Sequence, residues 1–351
     1  MVVKNIIADS VFSATKAYSL KGTILDKGTL ESLTESKNLD DLITKLKATS
    51  YEKYVSAIPQ PYSSQNIELN AKQHLVDMHR SFIQSSPNHE IVDAYYEKYL
   101  VSNLKKILKA KALKKTYEEI TTYIDLHAEE IVGRRDLITR ILSSETFDEI
   151  STIISGHKFE KEISQGIKAY NDHNKLEIFD LFLDNIFFSH LAQAASKYKK
   201  LNENTRKLIS VDVDSFKITS ALRAKYWDMS YELINEFIIK EEFDISNKKI
   251  NKMINADNIQ NATEHAVATP YSKISNIESK NEIELISKIE EYFKTTTNSI
   301  INKNFVWNAF DENCALSLIK LKEIEIQNIS KIAFGVEHKI EQKTIYSNLK
   351  I

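Results

Sequence analysis

Asp180 and Asp184 stand one helical turn apart in a chain of 351 residues. Two carboxylates on one helix face can share a divalent cation, which would make the chain an all-helical, metal-dependent enzyme. Placed opposite Phe179, Leu183 and Phe187, they also suit a solvated stripe, which is the expected reading. Asp212 and Asp214 precede the apolar run Phe216 to Leu222, where carboxylates favour a helix start by capping and through the dipole. A basic run, Lys105, Lys106, Lys109, Lys111, Lys114 and Lys115, interleaves with Leu104, Ile107, Leu108 and Leu113. Such a helix could face nucleic acid, anionic lipid or an acidic protein, or simply water. No aromatic platform for bases accompanies it, so the solvated face is expected.

Other chemistry lacks its residues. The sequence holds no Gly-x-Gly-x-x-Gly and no Walker-type Gly-Lys-Ser/Thr, the closest glycines being Gly22 and Gly28, so nothing cradles a phosphate. None of the nine histidines has a glutamate three residues before it, and His-Glu-x-x-His is absent, which removes the ligand sets of helical di-metal and zinc-protease sites. The single cysteine, Cys314, excludes an intramolecular disulfide and reads as a small buried hydrophobe. With 47 basic and 49 acidic residues the net charge is -2, so no global field draws nucleic acid. The most apolar stretch, Ile178 to Ala195, carries Asp180, Asp184 and His190, each costly in lipid. The segment Met1 to Asp9 has no signal-peptide core. The expectation is therefore a chain without cofactor, metal, nucleic acid or membrane span.

Few turns separate the elements that must carry these residues. Six glycines and four prolines are too few for many short strands, and apolar residues recur at helical spacing, as in Leu42 and Leu46 or Leu100, Leu104, Ile107 and Leu108. Breaks fall at Pro59 and Pro61, at Ser85 to Pro87, at Asn202 to Thr205, and at Thr269 and Pro270. The fold class is all-α. With 42% hydrophobic and 27% charged residues, it has a substantial core and a charged surface.

One register returns three times. Leu39, Leu42, Leu46, Thr49 and Tyr51 form a helical stripe leading to an aromatic; Phe147, Ile150, Ile154, His157 and Phe159 repeat it 108 residues on, and Ile259, Ala262, Ala266, Thr269 and Tyr271 a further 112 on. The stretch Ile107 to Lys111 has its counterpart 114 residues on, in Ala221 to Lys225. This period exceeds that of solenoid repeats and reads as three helical units, 1–105, 106–215 and 216–351, the last with a closing C-terminal helix. Three like units joined through equivalent faces can close about a pseudo-threefold axis. Lys109 and Lys111 then take the places of Arg223 and Lys225, either contacting a partner or tying bundles together through carboxylates such as Glu323 and Glu325.

The run from Asp212 to Lys225 resembles the Asp-x-x-Asn-x-x-x-x-Leu-Arg-x-Lys signature in the C subunits of archaeal-type and V-type ATPases, called d subunits in the eukaryotic enzyme. Lys217 or a neighbour stands for its asparagine. The earlier copy, Tyr99 to Lys111, keeps Asn103 and has Lys109 for the arginine. Leu321 to Ile332, with Glu323, Glu325 and Asn328, is similar to the family's closing helix, and Thr49 with Tyr51 and Thr269 with Tyr271 have its aromatic turns. The N-terminal helix departs from the family's arginine-rich pattern with Lys16, Tyr18 and Lys21. The resemblance implies a funnel of three bundles on the membrane rotor ring, receiving the foot of the central axle. It implies a non-catalytic stalk component, peripheral on the cytoplasmic face, that couples ATP synthesis or hydrolysis to ion transport. An all-helical scaffold for other partners is the alternative.

Overall fold

The computed structural model describes residues 6–85, 89–197, 203–267, 269–307 and 313–350; Ser86, Pro87 and Asn202, among the expected breaks, lie outside the described residues. All regular structure among the described residues is helical. Eight helices among the described residues are long: α1 (Ile6–Lys21), α2 (Ser64–Ile83), α3 (His89–Ala112), α4 (Glu160–His173), α5 (Glu177–Ser196), α6 (Glu203–Tyr226), α7 (Glu282–Trp307) and α8 (Asn313–Glu337). Among the described residues no helix is long and apolar enough to cross a membrane.

The chain packs as two compact units: Met1–Val92 with Thr122–Arg135 and Asn304–Ile351, and Asp93–Thr121 with Asp136–Lys303. In the first, α8 is the central helix. Apolar side chains on several of its faces are buried, among them Leu318, Ile319, Ile326, Ile329, Ile332 and Val336, because α1 and α2 pack along it and short helices cover the rest. A helix buried on several faces belongs inside a unit, and here it takes the polar Lys322, Glu325 and Asn328 in with its apolar residues. Cys314 is buried at its start. Gly335 lets the short helix Gln342–Ser347 lie close: a Cβ there would come within 2.6 Å of Ile345.

In the second unit α6 takes the same central part, with Leu208, Ile209, Val213, Phe216, Ile218 and Leu222 buried. It packs against α5 and the short helix Asn247–Ile254, and α5 packs against α4. Gly166 of α4 allows that last approach, since a Cβ there would meet Phe182 at 3.2 Å.

The thrice-repeated register has the same local geometry each time. Asn38, Thr146 and Asn258 cap the helices that begin at Leu39, Phe147 and Ile259, each side chain accepting the backbone N–H three residues on, at 2.9, 3.2 and 2.8 Å. These caps satisfy donors a helix start leaves open. Each copy ends on a buried ring: Tyr51, Phe159 or Tyr271. In the outer two copies a threonine hydroxyl donates to the carbonyl three residues back and accepts from the tyrosine N–H, Thr49 at 2.7 and 3.2 Å, Thr269 at 2.6 and 3.1 Å.

The long-helix ends repeat as well. Helix α3 stops with Lys114 at φ 55° and α6 with Asp228 at φ 53°, and the next N–H in each case reaches back to the carbonyl of Ala110 or Ala224, at 2.9 and 3.0 Å. Helix α8 ends the same way, with Lys339 at φ 55° and Ile340 bonded to the Gly335 carbonyl at 2.8 Å. All three are left-handed caps closing a Schellman turn. Counted back along the chain from these ends, α8 aligns with α3 and α6: Glu325 matches Asp214, Asn328 matches Lys217 and Asn103, and Phe334 matches Arg223 and Lys109. The boundaries expected near residues 105 and 215 lie inside α3 and α6, so the repeat is read from contacts and helix ends.

Candidate functional site

The charged residues singled out from the sequence gather into a ladder in the second unit. Lys109 of α3 donates to Asp180 Oδ2 of α5 at 2.6 Å, and Lys105, one turn back, reaches Asp184 Oδ1 at 2.7 Å and stands 3.8 Å from Asp180 Oδ1. On α6, Arg223 pairs with Glu290 of α7 at 2.5 Å. Asp184 also senses the charge of Arg223; burial pushes its carboxyl up, against the pull of Lys105. The result is an alternation of charge across α3, α5, α6 and α7, each side chain part-exposed, from about a quarter to just over a third.

The second cation of each pair serves a turn. Lys111 donates to the carbonyls of Leu142 and Ser144, and burial lowers its ammonium, opposed by Glu149 and Glu145. Lys225 reaches the carbonyl of Ile254 at 3.5 Å, the position that matches Leu142. So the repeat-matched cations make repeat-matched contacts: the first of each pair ties long helices together, and the second holds the end of a short helix.

Of the two carboxylates expected beside them, Glu325 has another task. Glu325 lies buried in α8, in the first unit, where it accepts from Tyr51 Oη at 2.5 Å, from Lys322 Nζ at 2.5 Å and from the Leu25 N–H. Lys322 also sits over the Tyr51 ring, 4.2 Å from its centroid, a desolvated cation–π contact. Glu323 is half-buried two residues earlier. In the second unit Tyr271 Oη donates to Asp214 Oδ2 at 2.9 Å. Tyr51 on Glu325 and Tyr271 on Asp214 are therefore the same contact made twice, an aromatic turn docked on a buried acid of a central helix. Burial and the adjacent carboxylate push both phenols well up.

Three expectations are corrected. Asp180 and Asp184 are not a solvated stripe: lysines of α3 meet both, so each carboxylate is paired with an ammonium. Among the described residues no cluster of three or more His, Cys, Asp or Glu side chains could hold a metal. Asp212 and Asp214 do not cap a helix start, because α6 begins at Glu203 and they lie in its middle. The apolar run after them is helical as expected, but so is the stretch before them, from Glu203. The basic run is not plain solvated surface, since Lys105, Lys109 and Lys111 make the contacts above and Lys115 pairs with Glu119 at 2.7 Å.

The sequence reading missed that the closing helix is itself a copy of the signature. Glu325-x-x-Asn328 keeps the acid and the asparagine, but Phe334 and Val336 replace the cations, so the Leu-Arg-x-Lys half that draws the eye is gone. The acid-x-x-asparagine spacing of Glu325 and Asn328 was the available signal in the sequence, and the left-handed end at Lys339 is what the structure adds.

The described residues thus form an all-helical protein in which cations of two long helices pair with carboxylates of their neighbours. Its family is that described as "ATP synthase (C/AC39) subunit", whose model matches residues 14–348; the chain belongs to this family of non-catalytic ATP synthase subunits. It is 21% identical to the A-type ATP synthase C subunit of Methanosphaera stadtmanae, over 89% of this chain and 80% of that one. It is 19% identical to the protein of the same name from Methanocaldococcus jannaschii, over 98% and 86%, and 21% identical to that of Thermococcus onnurineus, over 93% and 86%.

Proposed function

We propose that this chain is the central-stalk coupling subunit of an A/V-type rotary ATP synthase, seated between the rotating axle and the membrane rotor ring on the cytoplasmic face. The observation that carries the reading is family membership along nearly the whole chain, residues 14–348. In this reading the three helical units form a funnel about a pseudo-threefold axis, the axle foot enters its hollow, and torque passes through the helices while ions move elsewhere. The subunit binds no nucleotide and reaches the membrane only through its partners.

The internal contacts support such a role. A part that transmits torque must resist shear between its helices, and side chains that bridge neighbouring long helices oppose that motion. The ladder from Lys109 to Glu290 does this with charge, and the docked tyrosines do it with buried hydrogen bonds. Lys109, Lys111, Arg223 and Lys225 are in this reading mainly internal, which leaves partner contacts to other surfaces. Recovery of the complex through a tag on this chain tests the reading. Axle and rotor-ring subunits should come with it, and their absence under conditions that keep the complex intact would sink it.

A further inference from the structure

Asp214 and Glu325 hold the same place in the repeat, each under a tyrosine hydroxyl, but their charges are met differently. Glu325 has the ammonium of Lys322 at 2.5 Å, from the preceding turn of α8. Three residues before Asp214 stands Val211. Asp214 Oδ2 accepts from the Tyr271 hydroxyl and the Asp244 N–H, both at 2.9 Å, while Oδ1 is buried with no hydrogen-bond partner. Lys217, one turn further along α6, sends its Nζ to the Glu241 carbonyl at 3.0 Å instead.

These contacts converge on one stretch. Residues 238–246 join the short helices Tyr231–Glu236 and Asn247–Ile254 without regular structure. Helix α6 holds them at three points: Asp214 on the Asp244 N–H, Lys217 on the Glu241 carbonyl, and Arg206 on the Asp244 carboxylate at 3.3 Å. Ile239 and Ile245 are buried beneath. The ionisable groups facing this point are Tyr271, Lys217, Arg206, Asp244, Glu241 and Glu242. Burial raises the Asp214 carboxyl to about 6, against the bonds from Asp244 and Tyr271 and the attraction of Lys217, while the Asp244 charge adds to the rise.

We propose that Asp214 is a proton-dependent clamp, which holds residues 238–246 on α6 when protonated and loosens its grip when ionised. Once the proton leaves, the unpartnered Oδ1 shares a buried charge that no bonded cation meets, and opening the segment lets water reach it. A carboxyl whose pKa is higher in the closed state than in the open one favours the closed state at low pH. The clamp therefore weakens as pH rises from the ordinary carboxylate range through about 6. Glu325, with Lys322 bonded to it, is the same contact built without the device. The proposal is independent of the stalk assignment, since the isolated chain tests it.

Hydrogen exchange of the full-length chain, followed by mass spectrometry between about pH 5 and 7.5 and corrected for intrinsic exchange, reads the opening of 238–246 directly. The corrected opening constant should rise about tenfold over that range. In Asp214→Asn, whose amide can keep both accepted bonds without the charge, it should stay near its acid value. Val211→Lys, which places an ammonium where α8 has Lys322, should flatten the dependence too. A wild-type opening constant that does not change with pH overturns the proposal, whether or not the variants fold. So does an Asp214→Asn chain that shows the wild-type rise.

Discussion

At the scale of residues, the ladder from Lys105 and Lys109 to Glu290 sets part-buried charges beside their opposites from helix to helix. Breaking such a part-buried pair leaves the remaining charge unmet, which costs more than the intact pair contributes. Lys109→Glu together with Arg223→Glu places like charges against Asp180 and Glu290. It should lower stability by about 1–3 kcal/mol, discounted from fully buried values because these side chains keep partial solvent contact. Thermal unfolding checks this, and an unchanged melting temperature would reduce the ladder to surface decoration. The cation reading is tested separately. Titration with magnesium should give no binding heat, and a tight site lost in Asp180→Ala would restore it. The tyrosine contacts yield a paired expectation: Tyr51→Phe and Tyr271→Phe should each cost about 1–2 kcal/mol, because a buried acceptor is left short of a donor. The middle copy already has the ring without the hydroxyl, Phe159, and α3 has Leu100 where the other central helices have the acid.

At the scale of elements, the short helix Gln342–Ser347 depends on Gly335 more than on its own length. A methyl at that point would fall 2.6 Å from Ile345, so Gly335→Ala should displace the helix and expose Ile345. Limited proteolysis should then cut near residue 340 far faster than in wild type. Cutting at the wild-type rate would show that the helix shifts at no cost.

Much at this scale was legible in the sequence. The stripes starting at Leu39, Phe147 and Ile259 coincide with three capped helices, because a cap, an apolar spacing and an aromatic are all local. The ends at Lys114 and Asp228 keep the 114-residue offset read from Ile107 and Ala221. Which carboxylate meets which cation was not legible. Asp180 comes 71 residues after Lys109, and pairing at that distance is decided by helix packing. The same holds for Tyr51 and Glu325, 274 residues apart. Asp214 misled because an acid before an apolar run signals a helix start unless the preceding stretch, here Glu203 to Asp212, is helical too.

At the scale of the whole molecule, the chain is all-helical among its described residues and belongs to a family of ATP synthase subunits. Far-ultraviolet circular dichroism should show roughly two-thirds or more helix, and a sheet-dominated spectrum would contradict the fold. The isolated chain should give no binding heat with micromolar ATP, since it has no phosphate-cradling loop. The central claim is the coupling role, and purification of the native assembly through a tag on this chain tests it most directly. With the subunits identified by mass spectrometry, axle and rotor-ring proteins should appear in constant proportion to this chain. Recovery of an intact rotary complex that lacks this chain, or of this chain only with unrelated proteins, would contradict the claim.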